Sequence, residues 1–171
     1  MANKPLNEEG TMSFDRAAIH EEVRHWFFDI YFNHWVDVGA GRRSEGPEFV
    51  LEYWGTPMFV TADEPAIAMW ALEPQQVVDF LAMQHEMLTS AGYDHTEIPD
   101  QRIFVYNENG ASIEVIWSRQ ARDNAEIQRM VVHFEVARME GTWKVVGIQA
   151  RGTDRTKDKD SIDGAWAQEA A

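Results

Sequence analysis

Residues 111–120 (ASIEVIWSRQ) and 127–138 (IQRMVVHFEVAR) decide the fold, because apolar and polar side chains alternate along both. Ile113, Val115 and Trp117 fall on one side of the first run, with Glu114 and Ser118 opposite. On the second run Met130, Val132, Phe134 and Val136 share one side, and Val131, His133, Glu135 and Ala137 the other. Successive side chains of a strand point to opposite faces, so each run reads as a strand with one face covered. Working outward, 102–107 (RIFVYN) and 142–151 (TWKVVGIQAR) show the same bias toward β-branched and aromatic residues. Glu108-Asn109-Gly110, the Asp123-Asn124 pair and Glu140-Gly141 supply turn chemistry at the joins. A four-strand antiparallel meander follows. On its last strand, alternation puts Val146, Ile148 and Ala150 inside and Trp143, Val145, Gly147, Gln149 and Arg151 outside.

The chain before the meander reads as helical. From Phe14 to Val38 apolar residues recur at helical spacing, through Ile19, Val23, Trp26, Phe27, Ile30, Tyr31, His34 and Trp35. Ser13 is the expected cap, and Gly39 and Gly41 end the helix. Pro47 to Trp54 reads as a short helix closed by Gly55, and Met58–Thr61 and Ala66–Leu72 as short strands. A third helix opens at Pro74, carries Val77, Val78, Phe80, Leu81, Gln84 and Leu88 on one stripe, and stops at Gly92. Pro99 confines the start of the next strand to an edge or bulge. Helices first and a sheet second define an α+β class with helices on one sheet face. Residues 1–12 are expected as a flexible lead, 13–152 as one domain, and 153–171 as a mobile polar tail.

Composition narrows the function. With 29 acidic against 15 basic residues the formal charge is −14, which disfavours nucleic acid and anionic membrane as partners. The absence of cysteine removes disulfides, thiolate nucleophiles and thiolate-bound metal. No stretch approaches the ~20 apolar residues that span a bilayer, and the first residues lack a signal-peptide core, so a cytoplasmic protein is expected. His20, Glu21 and His25 do not share metal-ligand spacing on a helix, and neither a metal nor another cofactor is implied.

The order of elements, together with YFNHW (31–35), PMFVTAD (57–63), EPQQVVDFLA (73–82) and GTWKVVGIQA (141–150), resembles the NTF2-like (SnoaL-like) superfamily over residues 14–152. The resemblance implies a cone: a curved antiparallel sheet wrapped around the long first helix and two further helices, with a ligand pocket between them. It also implies homodimerisation through the sheet. Members include isomerases, dehydratases, epoxide hydrolases, polyketide cyclases and binding proteins without catalysis. Ketosteroid isomerase chemistry needs a Tyr and a protonated acid as oxyanion donors and a carboxylate base. Tyr31 and Asp63 fall near two of those places, but Val132 takes the place of the acid, so this reaction is not expected.

The expected polar groups are therefore Tyr31, His34 and Asp63, acting on a small apolar molecule, and the expected walls are Trp35, Phe80, Trp117, Val132, Phe134 and Ile148. The competing reading is a binding or dimerisation module whose interior is filled core. His133 and Glu135 share a strand face and resemble an acid–base pair, but alternation puts them on the outer side of the sheet, with Val131, Trp143 and Val145 as an apolar interface.

Overall fold

A computed structural model describes residues 14–63, 65–155 and 160–167; the expected lead 1–12 and the expected cap Ser13 lie outside these. Three helical segments, Arg16–Arg24, His25–Phe32 and Asn33–Gly39, follow one another without a break and form α1; the middle one is a π-helix. Asp15 caps α1 by accepting from the Ala18 N–H at 3.0 Å. Val23, Phe27, Tyr31, Trp35 and Gly39 are all buried, at a spacing of four. In an α-helix each four-residue step overshoots a full turn by about 40°. The wider π turn winds fewer degrees per residue and offsets that drift, so the row stays on one face. The same change turns Ile30, expected on the buried stripe, out to 44% exposure.

A 3₁₀ helix, Pro47–Glu52, leads into strand β1, Trp54–Asp63, which starts earlier and runs longer than expected. The rest of the chain is β2 (Ala66–Ala71), α2 (Pro74–Ser90), β3 (Tyr93–Glu97), β4 (Gln101–Asn107), β5 (Gly110–Ala121), β6 (Glu126–Met139), β7 (Thr142–Gly152) and α3 (Ile162–Trp166). A capping box between Glu73 and Gln76 opens α2. Gly41 (φ +71°) and Gly92 (φ +75°) follow the ends of α1 and α2 in the left-handed conformation. The sheet order is β2-β1-β7-β6-β5-β3, with β4 also paired to β5 beyond the break at Pro99. All pairs are antiparallel except β1 with β7, a departure from the wholly antiparallel expectation.

Helices α1 and α2 cover the inner face, and Ile113, Val115, Trp117, Met130, Val132, Phe134 and Val136 meet them in one core, as alternation requires. Strand β7 breaks the alternation. Val136 pairs with Val145 and Glu135 with Gly147, which leaves Val146 unpaired in a bulge. The bulge shifts phase, so Trp143 and Val145, expected outside, are buried in the core together with Ile148.

The outer face is built in rows across the strands. Trp70, Phe59, Gly147, Glu135, Ser112 and Phe104 form one, and Thr61, Gln149, His133, Glu114 and Arg102 the next. Val131 and Ile116 pair in a third row, covered by Ile162 and Ala165 of α3. The short helix is anchored by Ile162 N–H donating to Asp100 (2.9 Å) and by Arg151 donating to the Ala165 and Ala167 carbonyls (3.0 Å each). Residues 160–167 thus pack on the sheet instead of forming part of a mobile tail, because two apolar side chains find an apolar pair to cover. Val131, like Trp143 and Val145, is buried within the protomer and removed from the expected interface.

Candidate functional site

The inner sheet face, α1 and α2 enclose a cavity of about 120 Å³. That is close to the roughly 150 Å³ of apolar cavities that stay dry and accept benzene, and below the ~300 Å³ of drug-sized pockets. Its walls include all six expected residues: Trp35, Phe80, Trp117, Val132, Phe134 and Ile148. The Phe32 and Trp117 rings stack at 5.0 Å, and Phe134 meets Trp117 edge-on at 6.2 Å. Pro65, Ile67, Met83 and Met87 line the side toward solvent, where Met83 and Met87 are 47% and 41% exposed.

The three expected polar residues do not converge there. Tyr31 reaches the cavity, and its hydroxyl accepts from Trp54 Nε1 at 3.1 Å. Burial pushes its phenol well above the ordinary range, so it stays neutral. His34 does not line the cavity; its Nδ1 lies 2.8 Å from the Tyr53 hydroxyl and its Nε2 2.5 Å from Glu45 Oε2. The hydrogen bond from His34 holds the Glu45 carboxyl below its usual range. Asp63, at the end of β1, accepts the Gly152 N–H at 2.8 Å and so ties β1 to β7. His133 lies on the outer face between Glu114 (3.2 Å) and Glu135 (2.8 Å).

Polar groups also reach the cavity: Gln84, expected on the stripe of α2, and Thr96, Arg119 and Gln128, which sequence reading passed over. Arg119 continues the inward series Ile113, Val115, Trp117 at the next period-two position, and Gln128 precedes Met130 in the same way. That period was the available signal; arginine is by default an outward residue. The two side chains sit opposite each other on β5 and β6, and Arg119 Nη1 donates to Gln128 Oε1 at 2.9 Å. The guanidinium lies over the Trp35 ring, 5.0 Å from its centre, and the residue is 7% exposed. Burial pushes Arg119 down to about 10, which leaves it charged at neutral pH. His85 stands behind Trp35, its ring edge-on at 4.9 Å and its Nε2 without a hydrogen-bond partner among the described residues. Burial, with the Arg119 charge as a lesser cause, pushes this imidazole down to about 4.

Among the described residues lining the cavity there is no carboxylate and no imidazole. Nor is any group of three or more His, Asp or Glu among the described residues placed to hold a metal ion. Among those residues no helix is long and apolar enough to cross a membrane.

A curved sheet closed by two helices around an apolar cavity defines the NTF2-like class. The chain belongs to the family described as "NTF2-like protein (DUF6841)", whose model matches residues 21–153. Solved structures with the same fold include an NTF2-like protein of unknown function from Pseudomonas putida KT2440, at 12% identity and TM-score 0.62, covering 91% of this chain and 96% of that one. An NTF2-like protein with a cystatin-like fold from Novosphingobium aromaticivorans gives 12% identity and TM-score 0.58, covering 81% and 85%. A domain of unknown function from Nostoc punctiforme, also with a cystatin-like fold, gives 12% identity and TM-score 0.55, covering 82% and 80%. No curated protein matches the chain.

Proposed function

We propose that the protein binds a small, mainly apolar molecule inside the cone. The observation that carries this reading is the cavity of about 120 Å³ walled by Trp35, Phe80, Trp117, Val132, Phe134 and Ile148. Burying a compact apolar ligand there would contribute about 25 cal/mol for each Å² of apolar surface removed from water. Acid–base chemistry is the weaker part of the expectation. Of the three residues offered for it only Tyr31 reaches the cavity, as a neutral phenol already accepting from Trp54.

Titration with indole, followed by protein NMR, tests the reading. Shifts confined to residues around the cavity are expected, and Ala150→Phe, which puts a ring into the lined space, should abolish them. An absence of shifts, or the same shifts in the Ala150→Phe variant, would count against a ligand pocket.

A homodimer through the outer face belongs to the same reading. Its support is the row ending in exposed Trp70 (63%) and Phe104 (59%), with Tyr106 (47%) beside the latter. Sedimentation should give a dimer that Phe104→Glu dissociates; a wild-type monomer at micromolar concentration would remove this proposal.

A further inference from the structure

We propose that the cavity selects a small monocarboxylate with a compact aromatic or similarly apolar body, its carboxylate held by the Arg119 guanidinium. This rests on the reading of the cavity as a ligand pocket. Arg119 is the one cation among the described residues lining the cavity, and it is more than nine-tenths buried. Among the described residues it has no carboxylate partner, and its side chain makes a single hydrogen bond, from Nη1 to Gln128. A buried cation without a counter-ion is costly, and neither an amide oxygen nor an indole face supplies a full negative charge.

The geometry points to a carboxylate. The bond to Gln128 occupies Nη1 and leaves the Nε–Nη2 edge of the guanidinium without an acceptor among the described residues. That edge carries two parallel N–H groups, which match the two oxygens of one carboxylate. The body of the ligand would lie against the stacked Phe32–Trp117 pair, where about 120 Å³ suits something close to a single six-membered ring. Met83 and Met87 on the solvent side are adaptable enough to close over differently shaped bodies. A phosphate dianion fits less well, because this wall offers one cation and the other polar residues lining it, Gln84, Thr96, Gln128 and Tyr31, are neutral.

Calorimetric titration of the full chain with benzoate, phenylacetate and 3-phenylpropionate, each beside its primary amide, tests the assignment. At least one acid should bind, and its amide about tenfold more weakly or worse, since a charge-assisted hydrogen bond is lost. Arg119→Met should bring acid and amide to the same affinity, and Arg119→Lys should restore part of the preference. Should Arg119→Met fail to fold, the wild-type comparison of acid with amide decides alone. Equal binding of acid and amide to the wild type, or an acid preference that survives Arg119→Met, overturns the carboxylate assignment and leaves the apolar pocket standing. Failure of all six compounds to bind removes both.

Discussion

His85→Phe should flatten the pH dependence of stability on the acid side. The imidazole is pushed from 6.5 to about 4 in the folded protein. Between these values the unfolded chain binds a proton that the folded one does not, so stability falls as pH drops below 6.5 and levels off near 4. At about 1.4 kcal/mol for each pH unit, the full gap has a ceiling of about 3.5 kcal/mol. His85 is only partly buried, and solvent screening brings the expected loss to about 2 kcal/mol. Phenylalanine keeps the ring against Trp35 and Phe49 and removes the unpartnered Nε2, so at neutral pH the variant should match or slightly exceed the wild type. Urea denaturation of both proteins at steps from about pH 7 to about pH 4.5 measures the difference. Glu21 and Asp29, lowered by hydrogen bonds from Arg24, and Glu45, lowered by that from His34, also weaken the fold in acid. They do so equally in both proteins and cancel. A stability gap between variant and wild type that stays constant with pH would refute the reasoning.

Three further outcomes are expected. A Cβ on Gly147 would stand 2.3 Å from Phe59 Cε1, so Gly147→Ala should cost about 1–3 kcal/mol in urea denaturation. Phe59→Ala in that background should recover part of the loss, and additive single effects would deny the contact. Ile162→Ala uncovers Ile116 and Val131, and thermal unfolding should report a loss of about 2 kcal/mol; an unchanged Tm would mean that α3 does not hold to the sheet in solution. Tyr31→Phe takes away the acceptor of the buried Trp54 N–H, at a cost of about 1–3 kcal/mol, whereas a neutral result would show that another acceptor replaces it.

Much of the architecture was legible because the period-two alternation survives from Ile113 to Arg119 on β5 and from Gln128 to Val136 on β6. It placed the core side of both strands and, through Trp117, Val132 and Phe134, the aromatic and apolar part that β5 and β6 give to the sheet wall of the cavity. The misses share a cause, since each is a local irregularity that pays off only in tertiary contact. The π turn re-aims Ile30, and Ile162 with Ala165 looks polar-flanked until Ile116 and Val131 stand opposite. The polar half of the site was hidden differently. His34 and Asp63 have the right chemistry but are satisfied by Glu45, Tyr53 and the Gly152 amide. Arg119 was visible two residues beyond Trp117, at a position where burial of a charge runs against the usual preference.

The bulge at Val146 can also be viewed as an insertion. Without that residue, Trp143, Val145 and Ile148 would fall at equal spacings of two, and β7 would be a regular strand with one apolar side. The extra residue puts two frames into one strand. In the first, Trp143 turns to α1 and donates to Glu22 at 2.8 Å. In the second, Ile148 faces the cavity. Read in either frame alone, this sequence would bury one half of β7 and turn the other to water; the insertion lets a single strand both seal the core and line the chamber.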